Sequence, residues 1–531
     1  MSSPASPVTA LSFRNRLVET LPGDPLTDTR SRQVAHACYS RVEPTPVAAP
    51  ELLIVVPEVA ALLELTSEVT PELTAILSGN QVLPEMKPYA ACYGGHQFGN
   101  WAGQLGDGRA ITLTEVATSS GASYEVQLKG AGRTPYSRTA DGRAVLRSSL
   151  RELVCSEAMF HLGVPTTRAL SLALTGDKVM RDLLYDGHAA FEPGAIVARV
   201  APSFLRFGNF ELHSARKDTA TLSKLVQFSI ERYFPQFSVN GRLDLAGWYE
   251  EICQRTARLM VEWMRVGFVH GVMNTDNMSL LGLTIDYGPY GWLDVYDPEW
   301  TPNTTDAGGR RYRFGHQPYI GQWNLMQLAR ALAPLFDDVS PLETSLNAYA
   351  EYYADQEQRM WRNKLGLSTE QVDDPALFSE LIPALVAVET DMSLFFRKLA
   401  ELPTQPSATS PDQRLALLSD AFYALETIPA SAFATLQAWL ERYAQRIGSE
   451  DASVAQRRAR MHAVNPLYVP RNYLVQEVIE KTQAGDRAAL PELLDVLRHP
   501  YTEQPGREAF AAKRPDWARN KPGCSMLSCS S

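Results

Sequence analysis

Apolar and polar residues alternate in two short segments, 111–116 and 124–129, which are joined by a Ser/Gly-rich turn. A period of two is typical of β-strands, because successive side chains point to opposite faces. The two segments therefore predict a β-hairpin. On the second strand, Lys129 shares a face with Glu125 and Gln127, opposite to the apolar side chains.

Helical spacing of apolar residues follows the hairpin. An apolar stripe predicts a helix from about Arg143 to Leu162, which Gly163-Val164-Pro165 would end. A strand-rich region follows to about Arg199, and helical patterns dominate from Thr219. The further predicted helices cover residues 222–234, 245–266, 322–336, 345–364 and 375–402.

The length of 531 residues exceeds what one hydrophobic core usually serves, so we expect two lobes with additions. Residues 1–90 mix short helical patterns with Pro-rich connections and are interpreted as an extension packed on the core. The clearest loop is 401–413, which is polar and contains three prolines. The other predicted regions are an N-lobe at 91–200, a helical C-lobe at 201–400, a helical region at 414–513 and a tail at 514–531.

Composition indicates a soluble protein of a reducing compartment. Hydrophobic residues make up 45% and charged residues 21% of the chain, and no apolar run approaches the roughly 18 residues of a membrane helix. The N-terminus has neither a secretory signal nor a convincing transit signal. Six cysteines are too sparse for a disulfide scaffold. We therefore expect a cytoplasmic protein without a membrane partner.

The net charge of −10 argues against general binding of nucleic acids. The charge is unevenly distributed, because the segment 129–151 carries +5 and the remainder −15. A compact basic segment favours a phosphorylated small molecule as ligand. Arginines spaced along a solvated helix face would give the same pattern, and that alternative stays open.

Six glycines lie within the fifteen residues 94–108. Glycine has no Cβ, so this density allows the backbone to approach a ligand closely. The segment leads into Gly106-Asp107-Gly108-Arg109. Farther along, Asp141-Gly142 by itself is typical of a simple turn.

The stretch 269–277 and the later Asp286-Tyr287-Gly288 resemble the catalytic loop and metal-binding triplet of protein kinases. His270 and Asn277 keep the kinase spacing, but Val272 stands where a kinase has its catalytic Asp. Valine cannot accept a proton, whereas Asn277 and the Asp of the triplet retain the oxygen ligands that grip Mg²⁺.

The order of these features is that of a two-lobed protein kinase. A glycine-rich loop precedes the strand lysine Lys129, a helix carrying Glu152 follows, and a helical lobe then holds the Asn/Asp pair. The sequence therefore predicts an α+β, protein-kinase-like, two-lobed fold with N-terminal and C-terminal helical extensions.

Longer motifs resemble the selenoprotein O family over nearly the whole chain. They lie at residues 93–101, 127–138, 270–277, 286–289, 471–474 and 529–531. The resemblance implies a kinase-like fold that acts as a protein adenylyltransferase. In that reaction AMP passes from ATP to Ser, Thr or Tyr hydroxyls of proteins, and pyrophosphate is released. ATP and acceptor proteins are thus the expected partners, and the chain could also modify itself.

The resemblance also implies roles for charged residues. Lys129 would contact nucleotide phosphates, with Glu152 as its ion-pair partner. In the family the nucleotide lies flipped relative to kinases, so that the β and γ phosphates are buried and the α phosphate faces the acceptor. Arg199 and Arg206 match the clamps that hold the buried phosphates, and guanidinium groups suit bidentate phosphate contacts. The other positions implied near the nucleotide are Gly106, Gly108, Arg109, Asp141, Gly142 and Asp286.

Asp276 matches the family's proposed general base, which accepts a proton from the attacking hydroxyl and would compensate for Val272. Asn277 and Asp286 match the ligands of Mg²⁺, with Mn²⁺ as the alternative ion. The competing interpretation is that Asp276 only caps a turn. His270 usually organises the backbone in such loops, so it is not included in the catalytic set.

Cys529 aligns with the selenocysteine of eukaryotic relatives, and a thiol in a terminal tail would be open to oxidation. In some bacterial relatives this cysteine pairs with one shortly after the Asp-Tyr-Gly segment. Residues 299–306 contain no cysteine here, which argues against that redox switch. Cys524 is an alternative partner, and two free thiols are the other interpretation.

Two other functions stay open from the sequence. The fold could serve a protein or small-molecule kinase with Asp276 as its base, or an inert nucleotide-binding pseudokinase that acts as a scaffold. The joint presence of Lys129, Glu152, Asn277 and Asp286 argues against inertness.

Overall fold

The computed structural model describes residues 6–183, 187–423 and 428–528. It confirms the predicted α+β class, because a broad sheet is combined with many helices. The strands are β1 Ser12–Arg14, β2 Gly23–Asp24, β3 Tyr39–Arg41, β4 Glu51–Val55, β5 Tyr89–Ala91, β6 Gly94–Gln97, β7 Asn100–Gln104, β8 Ala110–Ala117, β9 Ser123–Lys129, β10 Ala144–Val145, β11 Arg168–Arg181, β12 Ala190–Ala201, β13 Ser238–Val239, β14 Arg242–Leu243, β15 Phe268–Val269 and β16 Gly291–Trp292.

Helices dominate the chain after β12. The α-helices are α1 Arg16–Thr20, α2 Pro57–Leu62, α3 Pro71–Leu77, α4 Leu146–His161, α5 Phe207–Ala215, α6 Thr219–Tyr233, α7 Leu245–Val266, α8 Gln317–Leu332, α9 Ser340–Leu365, α10 Asp374–Ala387, α11 Met392–Leu399, α12 Pro411–Leu417, α13 Ala430–Gly448, α14 Val454–Val464, α15 Asn472–Gln483 and α16 Ala489–Leu497. Within the part of the chain that the structure describes, none of them has the length and apolar content needed to cross a bilayer.

The central sheet is built around the predicted hairpin. Its strands follow the order β2-β3-β5-β8-β9-β12-β11-β4, with β1 paired to β8 and β10 paired to β12. Strands β8 and β9 form the hairpin, in which Ala110 lies opposite Lys129. Glu125 and Gln127 are as buried as Leu128, so the polar face of β9 is also covered by protein. Lys129 is the last residue of this strand and lies where the protein stops covering the polar face.

The first 90 residues supply strands as well as the short helices that their sequence predicts. Strands β1 to β5 all belong to the central sheet, and β4 pairs with β11. One apolar cluster combines Val55 and Val59 with Leu150 of α4 and Leu493 of α16. The N-terminal segment, the sheet and the C-terminal helices therefore share a core.

Helix α4 begins at Leu146 and not at about Arg143, because 144–145 pair with β12 as a short strand. Its apolar stripe is buried as predicted. The sequence pattern places Glu152 on the polar side of this helix, but the structure buries it beside Lys129 and Arg199. A carboxylate is tolerated there because its neighbours carry the opposite charge.

Helix α7 covers the predicted residues 245–266. The side chain of Asp244 accepts a hydrogen bond from the Gly247 N–H at its start, and Gly267 ends it in a left-handed conformation with φ 78°. The chain then passes through β15 directly to His270. A second apolar cluster packs α7 with α6, α8 and α9 and supports this loop.

The structure corrects one predicted helix and one predicted loop, and it adds one helix that was not predicted. Residues 375–402 form α10 and α11, because Glu389 adopts a left-handed φ of 43° and Asp391 caps a new helix. The predicted loop 401–413 ends in the first turn of α12, where Ser410 caps the N-terminus. Helix α5 has no counterpart in the sequence prediction.

Candidate active site

A cleft of about 770 Å³ lies between the central sheet and the loops that follow α7. The predicted site residues that line it are Gly106, Gly108, Arg109, Lys129, Asp141, Gly142, Arg199, Asp276, Asn277 and Asp286. Glu152 and Arg206 lie behind this wall, and each contacts a lining residue. The fold thus brings together every residue that the sequence assigns to the site.

Lys129 is anchored to a buried carboxylate on α4. Its Nζ lies 2.6 Å from Oε2 of Glu152 and 3.7 Å from Oδ1 of Asp286. The other oxygen of Glu152 accepts a hydrogen bond from Nη1 of Arg199 at 3.0 Å. Burial lowers the pKa of Lys129, although the nearby Glu152 acts to raise it. The ion pair fixes the ammonium group at the cleft wall.

Asp286 is the centre of the charge network. Nη1 of Arg199 donates to its Oδ1 at 2.6 Å, and Nη1 of Arg206 donates to its Oδ2. Burial acts to raise the pKa of Asp286, but Arg206, Arg199 and Lys129 outweigh it and hold that pKa well below its ordinary value. The carboxylate therefore stays ionised. Its backbone has a left-handed φ of 55°, which Asp adopts more readily than most residues.

His270 organises the two loops through backbone contacts. Its Nε2 donates to the Ile285 carbonyl at 2.9 Å, and its Nδ1 accepts from the Val272 N–H at 3.3 Å. This pattern requires a neutral ring, and burial correspondingly lowers the pKa of His270. The ring also stacks on Trp263.

Asp276 faces the cleft from the 3-10 turn Thr275–Asn277. Nε2 of Gln97 donates to its Oδ2 at 3.2 Å, while its Oδ1 has no hydrogen-bond partner among the described residues. Burial raises the pKa of Asp276 to about 7, against smaller lowering effects of Gln97 and Arg206. This Oδ1 is buried, and a Cβ added to Gly95 would lie 2.6 Å from it. A carboxyl group with a pKa near neutrality suits a general base.

Asn277 and Asp286 fit a divalent cation by their donor atoms. Nδ2 of Asn277 donates to the Val272 carbonyl at 2.9 Å, which leaves its Oδ1 as an oxygen ligand. Across residues 6–183, 187–423 and 428–528, no group of three or more His, Cys, Asp or Glu side chains could hold a metal ion. Mg²⁺ in nucleotide sites commonly takes one or two protein ligands and completes its shell with phosphate oxygens and water.

The glycine-rich segment forms the hairpin β6–β7 and then runs along the cleft to Arg109. Gly106 has φ 87°, and a Cβ there would collide with the ring of Tyr136. Gly142 has φ 73°, and a Cβ there would collide with the Gly132 backbone. Both positions therefore require glycine, and both bring the backbone to the cleft surface.

Asp141 lies at the mouth of the cleft, where its side chain is 46% exposed. Its oxygens accept hydrogen bonds from Nη1 and Nη2 of Arg181, each at 2.8 Å, and from the Arg143 N–H at 2.9 Å. Arg181, at the end of β11, also lines the cleft and is a cation that the sequence analysis did not identify.

The basic segment 129–151 does not form one surface. Lys129, Arg138 and Arg143 line the cleft, whereas Arg147 and Arg151 are buried. The predicted basic ligand site therefore accounts for only some of these residues. The alternative, a solvated helix face, does not account for the buried arginines. Part of the segment belongs to the cleft and part to the interior.

The polar residues that line the cleft but are missing from the predicted site include Gln97, Asp107 and Asn274. Asp107 is buried, and burial raises its pKa. Oδ1 of Asn274 accepts a hydrogen bond from the Tyr312 hydroxyl at 2.6 Å. Each of these residues lies inside a motif of the sequence. Membership of such a motif is the signal by which it could have been assigned to the site.

The C-terminal tail pairs with the segment that follows the Asp-Tyr-Gly motif. The Leu527 N–H donates to the Pro302 carbonyl at 2.9 Å, and the Thr304 N–H donates to the Leu527 carbonyl at 2.7 Å. Cys524 is buried, and burial raises its pKa to about 11. Cys529 lies outside the described residues, so its pairing stays a prediction.

Comparison with known proteins yields a family and several near relatives. A family model described as protein adenylyltransferase SelO matches residues 27–498. The protein nucleotidyltransferase YdiU of Aromatoleum aromaticum is 58% identical over 527 residues, which cover 98% of this chain and 99% of that protein. The protein of the same name from Xanthomonas campestris is 56% identical and covers 99% of this chain and 100% of its own length.

Solved structures offer a much weaker similarity. The kinase domain of a rhoptry antigen from Toxoplasma gondii matches with a TM-score of 0.22 and 9% identity, over 51% of this chain and 86% of that chain. A similarity at this level carries no argument about the site.

Proposed function

The chain belongs to the SelO family of protein adenylyltransferases, and we propose that its cleft moves AMP from ATP to Ser, Thr or Tyr hydroxyls of proteins and releases pyrophosphate. The observation that carries the proposal is the set of three cations, Lys129, Arg199 and Arg206, around Asp286 at the buried wall. Such a wall favours the pyrophosphate part of ATP. The α phosphate then lies toward Asp276 and the acceptor.

Lys129, Arg199 and Arg206 would bind the β and γ phosphate oxygens. In the structure both oxygens of Asp286 are engaged by the two arginines. Each guanidinium has further N–H groups, so it can take up phosphate oxygens while a charge partner remains nearby. Cations held in place before the reaction stabilise the charge that develops on the departing pyrophosphate.

Asn277 and Asp286 would hold Mg²⁺, with Mn²⁺ as the alternative. When bound, the ion neutralises phosphate charge and helps to align the reacting oxygens. The backbone-directed hydrogen bond from Nδ2 of Asn277 orients its Oδ1 for this purpose.

Asp276 would take the proton of the attacking hydroxyl once its Oδ1, which is buried against Gly95, turns toward the cleft. The hydroxyl oxygen forms a bond to the α phosphorus, while the bond from that phosphorus to the bridging oxygen of pyrophosphate breaks. Gln97 holds the other oxygen of Asp276 and so orients the base. Val272, at the position of the kinase base, lines the cleft without a proton acceptor.

The remaining predicted positions would contact the rest of the nucleotide toward the mouth. They are Gly106, Gly108, Arg109, Asp141 and Gly142. The chain itself is a candidate acceptor, and the cytoplasm is the expected location. We propose that the fold divides into an N-terminal extension, an N-lobe and a C-lobe, with boundaries near residues 90, 200 and 400.

Incubation with ATP labelled at either the α or the γ phosphate tests the proposal, with intact-mass and peptide mass spectrometry as readout. AMP transfer requires the α label and an added AMP on a Ser, Thr or Tyr side chain. Incorporation of the γ label alone would instead establish the kinase. ATP binding without modification of any protein, in either Mg²⁺ or Mn²⁺, would favour the scaffold.

A further inference from the structure

Next to Asp276, the protein surface combines arginines with exposed aromatic rings. The hairpin β6–β7 presents Trp101, which is 40% exposed, and α8 presents Tyr319, which is 56% exposed. Arg310 lies exposed in the connection before α8. We call Trp101, Arg310, Arg311, Tyr319 and Trp323 the arginine–aromatic surface.

Hydrogen bonds join this surface to the catalytic loop. The Tyr312 hydroxyl donates to Oδ1 of Asn274 at 2.6 Å, and the Phe98 N–H donates to the Tyr312 oxygen at 2.9 Å. A Cβ added to Gly99 would lie 3.3 Å from the guanidinium carbon of Arg311, so the hairpin turn rests on that arginine. Because Gln97 of the same hairpin contacts Asp276, a protein whose hydroxyl reaches this base must also cover the hairpin.

The segment between Asp306 and Asp337 is rich in arginine. Residues 307–336 contain four arginines and neither Asp nor Glu, in a chain of net charge −10. Asp306, just before them, is buried and accepts the backbone N–H groups of Arg311 and Tyr312 at 3.0 and 2.7 Å. It therefore shapes the turn that presents the arginines. Arg313 pairs with Glu299 at 3.0 Å.

The two arginines of the surface have no acidic partner in the described part of the chain. Arg310 makes no ion pair there. The guanidinium carbon of Arg311 lies 4.6 Å from the ring centroid of Trp323, and its Nε and Nη2 have no hydrogen-bond partner in those residues. The exposed guanidinium of Arg310 is available to an anionic ligand, whereas Nε and Nη2 of Arg311 are buried, so Arg311 contributes mainly its charge.

We propose that the arginine–aromatic surface docks an acidic segment of the acceptor protein, beside the hydroxyl that is modified. The inference rests on the proposed function, since it concerns the acceptor of that reaction. Trp, Tyr and Arg are the residues that most often dominate binding energy at protein interfaces. Complementary charge speeds association and selects among partners, so carboxylates near the hydroxyl mark a preferred acceptor.

A pair of synthetic peptides tests this preference. Both contain the same core with Ser, Thr and Tyr, and they differ only in the flanks, which are Glu in one and Lys in the other. With the full chain, Mg²⁺ or Mn²⁺ and ATP labelled at the α phosphate, we expect the Glu-flanked peptide to be labelled about tenfold faster at low peptide concentration. Added salt should reduce the difference.

A variant with reversed charge at one exposed arginine tests whether the surface causes this preference. Arg310→Glu should bring the ratio of the two labelling rates to about one or below, while ATP binding stays unchanged. The matched control is Arg242→Glu, at an exposed position just before α7. It lies at the end of α7 opposite to the catalytic loop, about 33 Å away by helix length, and should keep the wild-type ratio. Trp101→Ala should slow both peptides equally.

Equal labelling of both peptides by the wild type, or an unchanged ratio in Arg310→Glu, would overturn the docking surface while leaving AMP transfer intact. If only the chain itself is labelled, the Glu-flanked peptide should compete with that reaction and the Lys-flanked peptide should not. Absence of the α label everywhere removes the proposed function and this inference with it. A smaller oligomer in Arg310→Glu than in the wild type would assign the surface to a second copy of the chain and overturn the acceptor assignment.

Discussion

Arginine–carboxylate pairs of similar geometry lie both at the buried wall of the cleft and at its mouth. At the wall, Nη1 of Arg199 lies 2.6 Å from Oδ1 of Asp286. At the mouth, Nη2 of Arg181 lies 2.8 Å from Oδ1 of Asp141. The surroundings differ, because the side chains of Arg199 and Asp286 are 3% and 19% exposed, whereas those of Arg181 and Asp141 are 18% and 46% exposed.

This difference shows that ion-pair distance does not rank the importance of the pairs. Removing one partner of a buried pair leaves an uncompensated charge and costs about 3–5 kcal/mol, whereas an exposed pair contributes about 0–1 kcal/mol. Water and salt screen the charges at the mouth. We therefore expect the buried cluster around Asp286 to determine both stability and catalysis. The outer pair, Arg181 and Asp141, should have only a small effect on nucleotide binding.

The largest effect is expected from Asp286→Ala, which breaks the buried cluster at its centre. The variant loses the proposed metal ligand, leaves Arg206 without its carboxylate and leaves Arg199 with Glu152 alone. Transfer should fall by more than about 10³-fold, and the free energy of unfolding should drop by about 3 kcal/mol. Label transfer and denaturant unfolding measure the two effects.

Asp286→Asn is the matched control for the folding effect, because Asn also adopts the left-handed backbone. The Asn variant should lose transfer activity, but its free energy of unfolding should drop less than that of the alanine variant. Full turnover in either variant would contradict the assignment of Asp286 as a metal ligand.

The base is tested by Asp276→Asn, which leaves the buried cations in place. Transfer should fall by about 10²- to 10³-fold while ATP binding persists. The wild-type rate should rise with pH up to about 7, because the ionised carboxylate is the active form and the pKa of Asp276 is raised to about 7. A bound divalent cation would shift this rise to lower pH. An unchanged rate and pH profile in the variant would make Asp276 structural.

Lys129→Ala removes one cation from the wall but leaves Glu152 paired with Arg199 at 3.0 Å. The buried carboxylate therefore keeps a partner, and the loss of stability should be smaller than in Asp286→Ala. Transfer should fall by about 10²-fold through the lost phosphate contact. Lys481→Ala, at an exposed position on α15, is the matched control and should have wild-type activity. Comparable losses in both variants would point to a general effect of charge.

The smallest effect is expected at the mouth. Arg181→Gln should change transfer by less than about fivefold and the free energy of unfolding by less than about 1 kcal/mol, because the pair is screened. The change should shrink further in added salt. A defect as large as that of Asp286→Ala would show that exposure does not distinguish the two clusters.

Local elements were predictable where they carry their own boundary signals. Helix α7 begins after the capping residue Asp244 and ends at Gly267, so its limits agree with the sequence pattern. Helix α5 escaped prediction because its residues from Phe207 to His213 are all buried. A helix enclosed on every side has no polar face, and its period is therefore hidden.

The sequence by itself determined the candidate residues of the proposed site and their order. Lys129, Glu152, Asp276, Asn277 and Asp286 follow from motif spacing and from the family resemblance. Only the tertiary structure decided which charges share a buried wall. It separated Arg143 at the mouth from Arg151 in the interior, placed Gln97 against Asp276 and brought Arg181 to Asp141. The spacing of residues along the chain indicates which motif a short segment forms. The effective strength of a charge depends instead on its burial and on partners from distant segments.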